Sequence, residues 1–206
     1  MTRACVTMML AASVAACSPV PRQGERLNAS AVCCTSASEF DFVQLSPNGE
    51  TQVVISERSP VYAFPTGKSY FAAFALPVTR GPAVLKIKTV RLGLLVFDSQ
   101  VFCPAFTFYD REKQSTKTER AWLVYRPARW IGKGYWSSQV RIPAGAEYLA
   151  VHTAADDVGT SLEIEGMTPG YAYATGTSFV YVPPYPSKQS YPCGQVGELS
   201  LLFTGN

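Results

Sequence analysis

Ala83-Val84-Leu85-Lys86-Ile87-Lys88 is the stretch whose pattern decides the fold. Ala83, Leu85 and Ile87 alternate with Lys86 and Lys88. A period of two puts the apolar side chains on one face of a strand and the lysines on a wet one. Working outward, residues 51–57 are β-branched, and residues 69–76 are aromatic and apolar. Further strands are predicted over 92–97, 101–109, 121–125, 139–142, 147–153, 161–164, 179–182 and 198–203. Glycine and proline punctuate the intervals, as in Gly81-Pro82 and Pro143-Ala144-Gly145. No long stretch has helical periodicity. Many short strands separated by turn residues predict an all-β chain, a mostly antiparallel, jelly-roll-like β-sandwich. One short helix is expected over 34–43, with Ser36 as cap and Glu39 three positions on. Pro183-Pro184-Tyr185-Pro186 reads as a rigid, extended loop.

The chain has 206 residues, of which 47% are hydrophobic and 16% charged, a globular composition rather than a disordered one. A net charge of +3 is too weak to imply nucleic acid. The N-terminus carries one cation, Arg3, then a short apolar run, then Val14-Ala15-Ala16-Cys17. Small residues before a cysteine, behind a run too short to span a bilayer, predict a signal peptide over 1–16 and lipidation of Cys17. Several acyl chains on one cysteine anchor firmly. Ser18 stands after it, with no Asp to argue for inner-membrane retention. The expected location is therefore the bacterial envelope, as a periplasm-facing outer-membrane lipoprotein. Residues 17–31, polar and with two prolines at 19 and 21, read as a tether. Residues 32–206 read as one sandwich domain.

Beyond Cys5 and Cys17 the cysteines are Cys33, Cys34, Cys103 and Cys193. An even number in an oxidising compartment suggests disulfides. The pairing of neighbours is the least favoured of the three connectivities, because it strains the intervening peptide. Cys33 and Cys34 are each expected to reach Cys103 or Cys193. No metal or other cofactor is expected: the spacing does not suit zinc, and His152 is the only histidine. Alternation puts His152 on the Tyr148/Ala150 face of its strand. A hydrogen-bonded strand histidine is the reading, not a general base, since no nucleophile motif accompanies it. Asp156-Asp157 lack the surrounding oxygen ligands of a calcium loop and read as a solvated turn.

Aromatic clustering is the strongest functional signal. Trp122, Trp130 and Trp136 are the only tryptophans, with Tyr125 and Tyr135 among them and Arg120, Arg126, Arg129 and Lys133 alongside. Trp122 is assigned to the core. Residues 126–136 read as a loop bearing exposed aromatics. Aromatic faces stack on sugar rings and arginine hydrogen-bonds hydroxyls, while the same residue types dominate protein interfaces. Trp130, Tyr135, Trp136, Arg126 and Arg129 are thus the predicted ligand- or partner-binding set.

Cys33-Cys34-Thr35-Ser36 and Phe42-Val43-Gln44-Leu45 resemble the N-terminal signature of the maltose operon periplasmic protein (MalM) family. Ser59-Pro60-Val61-Tyr62-Ala63-Phe64, Gly67-Lys68-Ser69-Tyr70-Phe71, Ala75-Leu76-Pro77, Arg80-Gly81-Pro82 and Leu95-Val96-Phe97-Asp98 follow in that family's order. So do Tyr148-Leu149-Ala150-Val151-His152-Thr153, Pro169-Gly170-Tyr171-Ala172-Tyr173-Ala174-Thr175-Gly176 and the closing residues 194–203. The chain departs after Gly176, where acidic residues of the family pattern are missing, and His152 stands at a tyrosine-like position. The resemblance implies an envelope protein associated with carbohydrate uptake, chiefly of maltodextrin, and supplies no catalytic residue. The expected function is non-catalytic: an accessory glucan-binding lipoprotein, or a lipoprotein docking on another envelope protein.

Overall fold

A computed structural model describes residues 19–79, 81–93, 99–128, 134–168 and 170–205. The signal segment, Cys17, Arg80, Arg129, Trp130 and residues 94–97 of the strand predicted over 92–97 lie outside the described residues.

The alternating stretch becomes strand β5 (Ala83–Leu92), with Ala83, Leu85, Ile87 and Thr89 buried and Lys86 and Lys88 exposed. It is the hub of the larger sheet. One edge pairs antiparallel with β10 (Tyr135–Arg141), which in turn pairs with β9 (Val124–Arg126). The other edge pairs with β16 (Gly197–Gly205) and, further along, with β6 (Gln100–Phe102). β16 also pairs with β2 (Glu50–Ile55). β6 leads in parallel to β15 (Tyr185–Gly194), which pairs with β12 (Ser161–Thr168).

The second sheet runs β1 (Val43–Gln44), β4 (Gly67–Ala75), β11 (Tyr148–His152), β7 (Ala105–Tyr109), β8 (Ser115–Arg120), with β3 (Val61–Phe64) also paired to β4. The two sheets face each other across a core that takes Leu85, Ile87, Val140, Leu199 and Leu201 from one and Tyr70, Phe106, Phe108, Leu149 and Val151 from the other. This is an all-β sandwich. A separate hairpin, β13 (Tyr171–Thr175) and β14 (Ser178–Val182), pairs only with itself among the described residues.

The predicted strand over 101–109 is two strands. Pro104, which cannot donate to a ladder, stands between β6 and β7, and the chain changes sheets there.

The middle of the second sheet is buried on both faces, so β7 (Ala-Phe-Thr-Phe-Tyr) is buried at every position, while the edge strand β8 stays largely exposed. Residues 33–45 cover its outer face. Phe40 sits at the centre of that cover, within 6.4 Å (centroid to centroid) of Phe42, Tyr62, Phe64, Phe71 and Tyr109. The helix expected over 34–43 is only a 3-10 turn, Ala37–Glu39, because Glu39 is held by the backbone N–H and hydroxyl of Thr35 and Ser36 makes no cap. The chain then stays extended to drop Phe40 and Phe42 onto the sheet.

Where a tether is expected, the chain forms helix α1 (Pro19–Ala29). Prolines 19 and 21 fall in its first turn, where no intrahelical N–H is lost. Leu27 is 2% exposed and belongs to the main core, and Lys68 Nζ donates to the carbonyls of Asn28 (3.0 Å) and Ser30 (2.6 Å) at the helix end.

The disulfides also correct the expectation. Cys103 pairs with Cys193, and Cys33 pairs with its neighbour Cys34. The reason is placement. The parallel β6–β15 pairing sets Cys193 opposite Val101 and so beside Cys103, both buried in the larger sheet. Cys33 and Cys34 lie in the layer outside the other sheet, beyond their reach.

Candidate functional site

Strand alternation divides the predicted aromatic surface. In β10, Trp136 is opposite Thr89 of β5 and Tyr125 of β9, all on the inner face; Tyr135 is opposite Val90 and Arg126, on the outer face. Among the described residues the predicted set is therefore split between two faces, since neighbours in a strand point to opposite sides. On the outer face Arg126 Nε donates to Ser137 Oγ at 3.2 Å, and Lys88 Nζ lies 5.9 Å from the Tyr135 ring centre while paired with Glu50. Trp136, expected to be exposed, is only 3% exposed. Trp122, expected in the core, is 84% exposed. The same period explains it: Leu123 and Tyr125 turn inward to pack near Trp136, which leaves Trp122 and Val124 outside.

The inner-face side chains meet at the end of the sandwich. Trp136, Val101 and Tyr191 form a small core of their own, backed by Leu162 and Ile164. The Trp136 ring lies 5.1 Å from Tyr125 and 5.3 Å from Tyr191, the latter edge-on. Between them opens a cavity of about 220 Å³ lined by Arg91, Tyr125, Gly134, Trp136, Gln189 and Tyr191. Arg91 places its guanidinium 6.0 Å from the Tyr191 ring centre, and the Tyr191 hydroxyl donates to Gln189 Oε1 at 2.6 Å. Gly134 makes the space. A Cβ there would stand 2.2 Å from the Tyr125 hydroxyl oxygen. The volume is below the roughly 300–1,000 Å³ that takes a drug-sized ligand, so the cavity suits one ring rather than an extended chain. Aromatic walls with a guanidinium, a carboxamide and phenol hydroxyls match the alternation of apolar faces and hydroxyl edges on a sugar ring.

Of the predicted set, Trp136 lines this cavity, Tyr135 and Arg126 lie on the opposite face, and Arg129 and Trp130 lie outside the described residues. Arg91, Gln189 and Tyr191 were not among the predicted residues. Arg91 comes from β5, the direct partner of β10, whereas Gln189 and Tyr191 come from β15, which only the β5–β6–β15 pairing brings to Trp136. Tyr125 had a local signal, its place in the aromatic cluster.

His152 is fully buried on the Tyr148/Ala150 face, as alternation predicts. Its ring stacks on Phe64 at 3.8 Å, and Nε2 shares a 2.9 Å hydrogen bond with Thr107 Oγ1, which meets Thr118 Oγ1 at 3.0 Å. Burial pushes its pKa down to about 4, against a smaller opposing effect of the Thr153 backbone. It is a neutral packing residue without access to solvent. Asp156 and Asp157 form a 3-10 turn with Ala155 and are both tied to Arg120, at 3.0 and 3.1 Å. Among the described residues there is no group of three or more His, Cys, Asp or Glu that could hold a metal, and no helix long and apolar enough to cross a membrane.

The family described as Maltose operon periplasmic protein precursor (MalM) matches residues 66–202, well over half of the chain, and the chain belongs to that family. No curated protein and no solved structure matches it significantly.

Proposed function

We propose that this member of the MalM family is a non-catalytic protein of the bacterial envelope that binds the end of a glucan chain in the Trp136 cavity. The observation that carries the reading is the cavity itself: one ring in size, walled by Trp136, Tyr125 and Tyr191, with Arg91 and Gln189 at hand for hydroxyls. The family description, a periplasmic protein of the maltose operon, supports both the compartment and the class of ligand. The small-residue run before Cys17 supports an acyl anchor on the outer membrane.

The test is a titration of maltodextrins into the purified protein, followed by tryptophan fluorescence. A saturable change is expected, because Trp136 forms the cavity wall. Arg91→Ala and Gln189→Ala, at half-buried and exposed positions, should each weaken binding about tenfold without unfolding the protein. Equal affinity in both variants, or no saturable change in the parent, refutes the site. Acylation is tested separately: labelled palmitate should enter the parent and not Cys17→Ser.

A further inference from the structure

The β13–β14 hairpin has no counterpart in the sugar-binding reading. All ten residues of its strands are exposed or half-exposed, and neither strand has another partner among the described residues of the sheets. Its register sorts the side chains. Tyr171 and Tyr173 share one face with Val180, while Phe179 and Tyr181 share the other with two alanines. Both faces are apolar and both are bare: Phe179 is 82% exposed on one and Tyr171 51% on the other. No charged side chain occurs from Gly166 to Ser187. Charge returns at the base, where Glu165 and Lys188 sit opposite each other in the β12–β15 ribbon, 3.6 Å apart.

We infer that this hairpin is a membrane-contacting element that enters the interfacial layer of a lipid bilayer. A protein partner covers one face of a hairpin; a bilayer surrounds both. Each face offers roughly 300 Å² of aromatic and aliphatic surface, short of the roughly 800 Å² per partner of a stable protein interface. Protein interfaces also carry a polar rim with charged residues, which this head lacks. Tyrosine is the residue of the membrane–water boundary. The open edges of both strands limit the depth, since unpaired backbone groups cannot leave water for hydrocarbon. The Glu165–Lys188 pair marks the collar that stays outside. The inference rests on the envelope location proposed above, not on the sugar cavity or on acylation.

The experiment uses residues 18–206, which carry neither the apolar signal segment nor an acylated cysteine, and flotation with phosphatidylcholine vesicles at low and high salt. Partitioning should persist at high salt, and adding Phe179→Ser and Tyr181→Ser should weaken it about tenfold. Phe179→Trp keeps the hairpin aromatic; its added emission should shift to the blue on vesicles and be quenched by brominated acyl chains. Equal partitioning with and without the serines, attachment lost at high salt, or no blue shift in the emission that Phe179→Trp adds overturns the inference. So does a concentration-dependent dimer that the serine pair dissolves, which would make a second copy the occupant. None of these results bears on the maltodextrin titration.

Discussion

Acidification should destabilise this protein through one buried side chain. His152 has an ordinary pKa of 6.5 and is pushed down to about 4 by burial in the folded chain. The unfolded state therefore binds the proton more readily than the folded state. The His152 contribution is intact above the unfolded value of 6.5 and is lost as the pH falls toward about 4. The full loss amounts to about 3 kcal/mol, and about 2 kcal/mol of it falls between roughly pH 7.5 and pH 5. The ordinary carboxylate range lies below that interval, so the histidine is the group the comparison with a variant isolates. The assay is urea unfolding at several pH values for the parent and for His152→Gln. Glutamine can still reach the Thr107 hydroxyl but has no proton to take. The absolute stability of the variant is immaterial; the difference in slope is the measurement. Because His152 is the only histidine, its imidazole proton signal is also identified without assignment. Parallel stability curves for the two proteins, or an imidazole titration centred near 6.5, would refute the reasoning.

Gly134→Ala should fill the space beside Tyr125 and abolish sugar affinity while shifting the thermal midpoint only slightly; unchanged affinity would mean that Tyr125 moves aside freely. Cys103→Ser should cost about 4–5 kcal/mol in denaturant unfolding, because the bridge spans a sequence separation of 90. Replacing both Cys33 and Cys34 by Ser should cost far less, since adjacent residues close no long loop; comparable losses would contradict the assigned pairing. Leu27→Ala should destabilise by about 2–4 kcal/mol, and a change below about 0.5 kcal/mol would show that α1 is not seated on the core.

What was legible in the sequence was periodic. The alternation in β5 identified a strand with one wet face, and the same rule assigned His152 to the correct side of β11. Where one sheet face meets water, sequence and burial agree. They part company where the second sheet is covered twice. Nothing local to Ala105–Tyr109 announces that residues 33–45 will lie over it. The faces of Trp122 and Trp136 are not legible for a related reason: the aromatics cluster in sequence, but that of Trp136 depends on its register with Thr89 and Tyr125, and that of Trp122 on Leu123 and Tyr125 turning inward. The cavity was the least legible feature, because Gln189 and Tyr191 join Trp136 only through long-range pairing. The prolines at 19 and 21 suggest a tether by composition, yet in a first helical turn they cost nothing. The vicinal disulfide follows from a three-dimensional separation that spacing alone does not encode.

The position of β16 has a kinetic consequence. It lies between β2 and β5, pairing Gly197 with Ile55 on one side and Leu199 with Thr89 on the other. Both neighbours precede it by more than half the chain. The central slot of the larger sheet thus closes by contacts of very long sequence separation, the topology that folds slowly. Until β16 arrives, β2 and β5 each present an open apolar edge, suited to mispairing with another chain. A cell exporting this protein unfolded must keep it apart from its own copies for that interval. Dependence on periplasmic chaperones should therefore track the closing of this one slot.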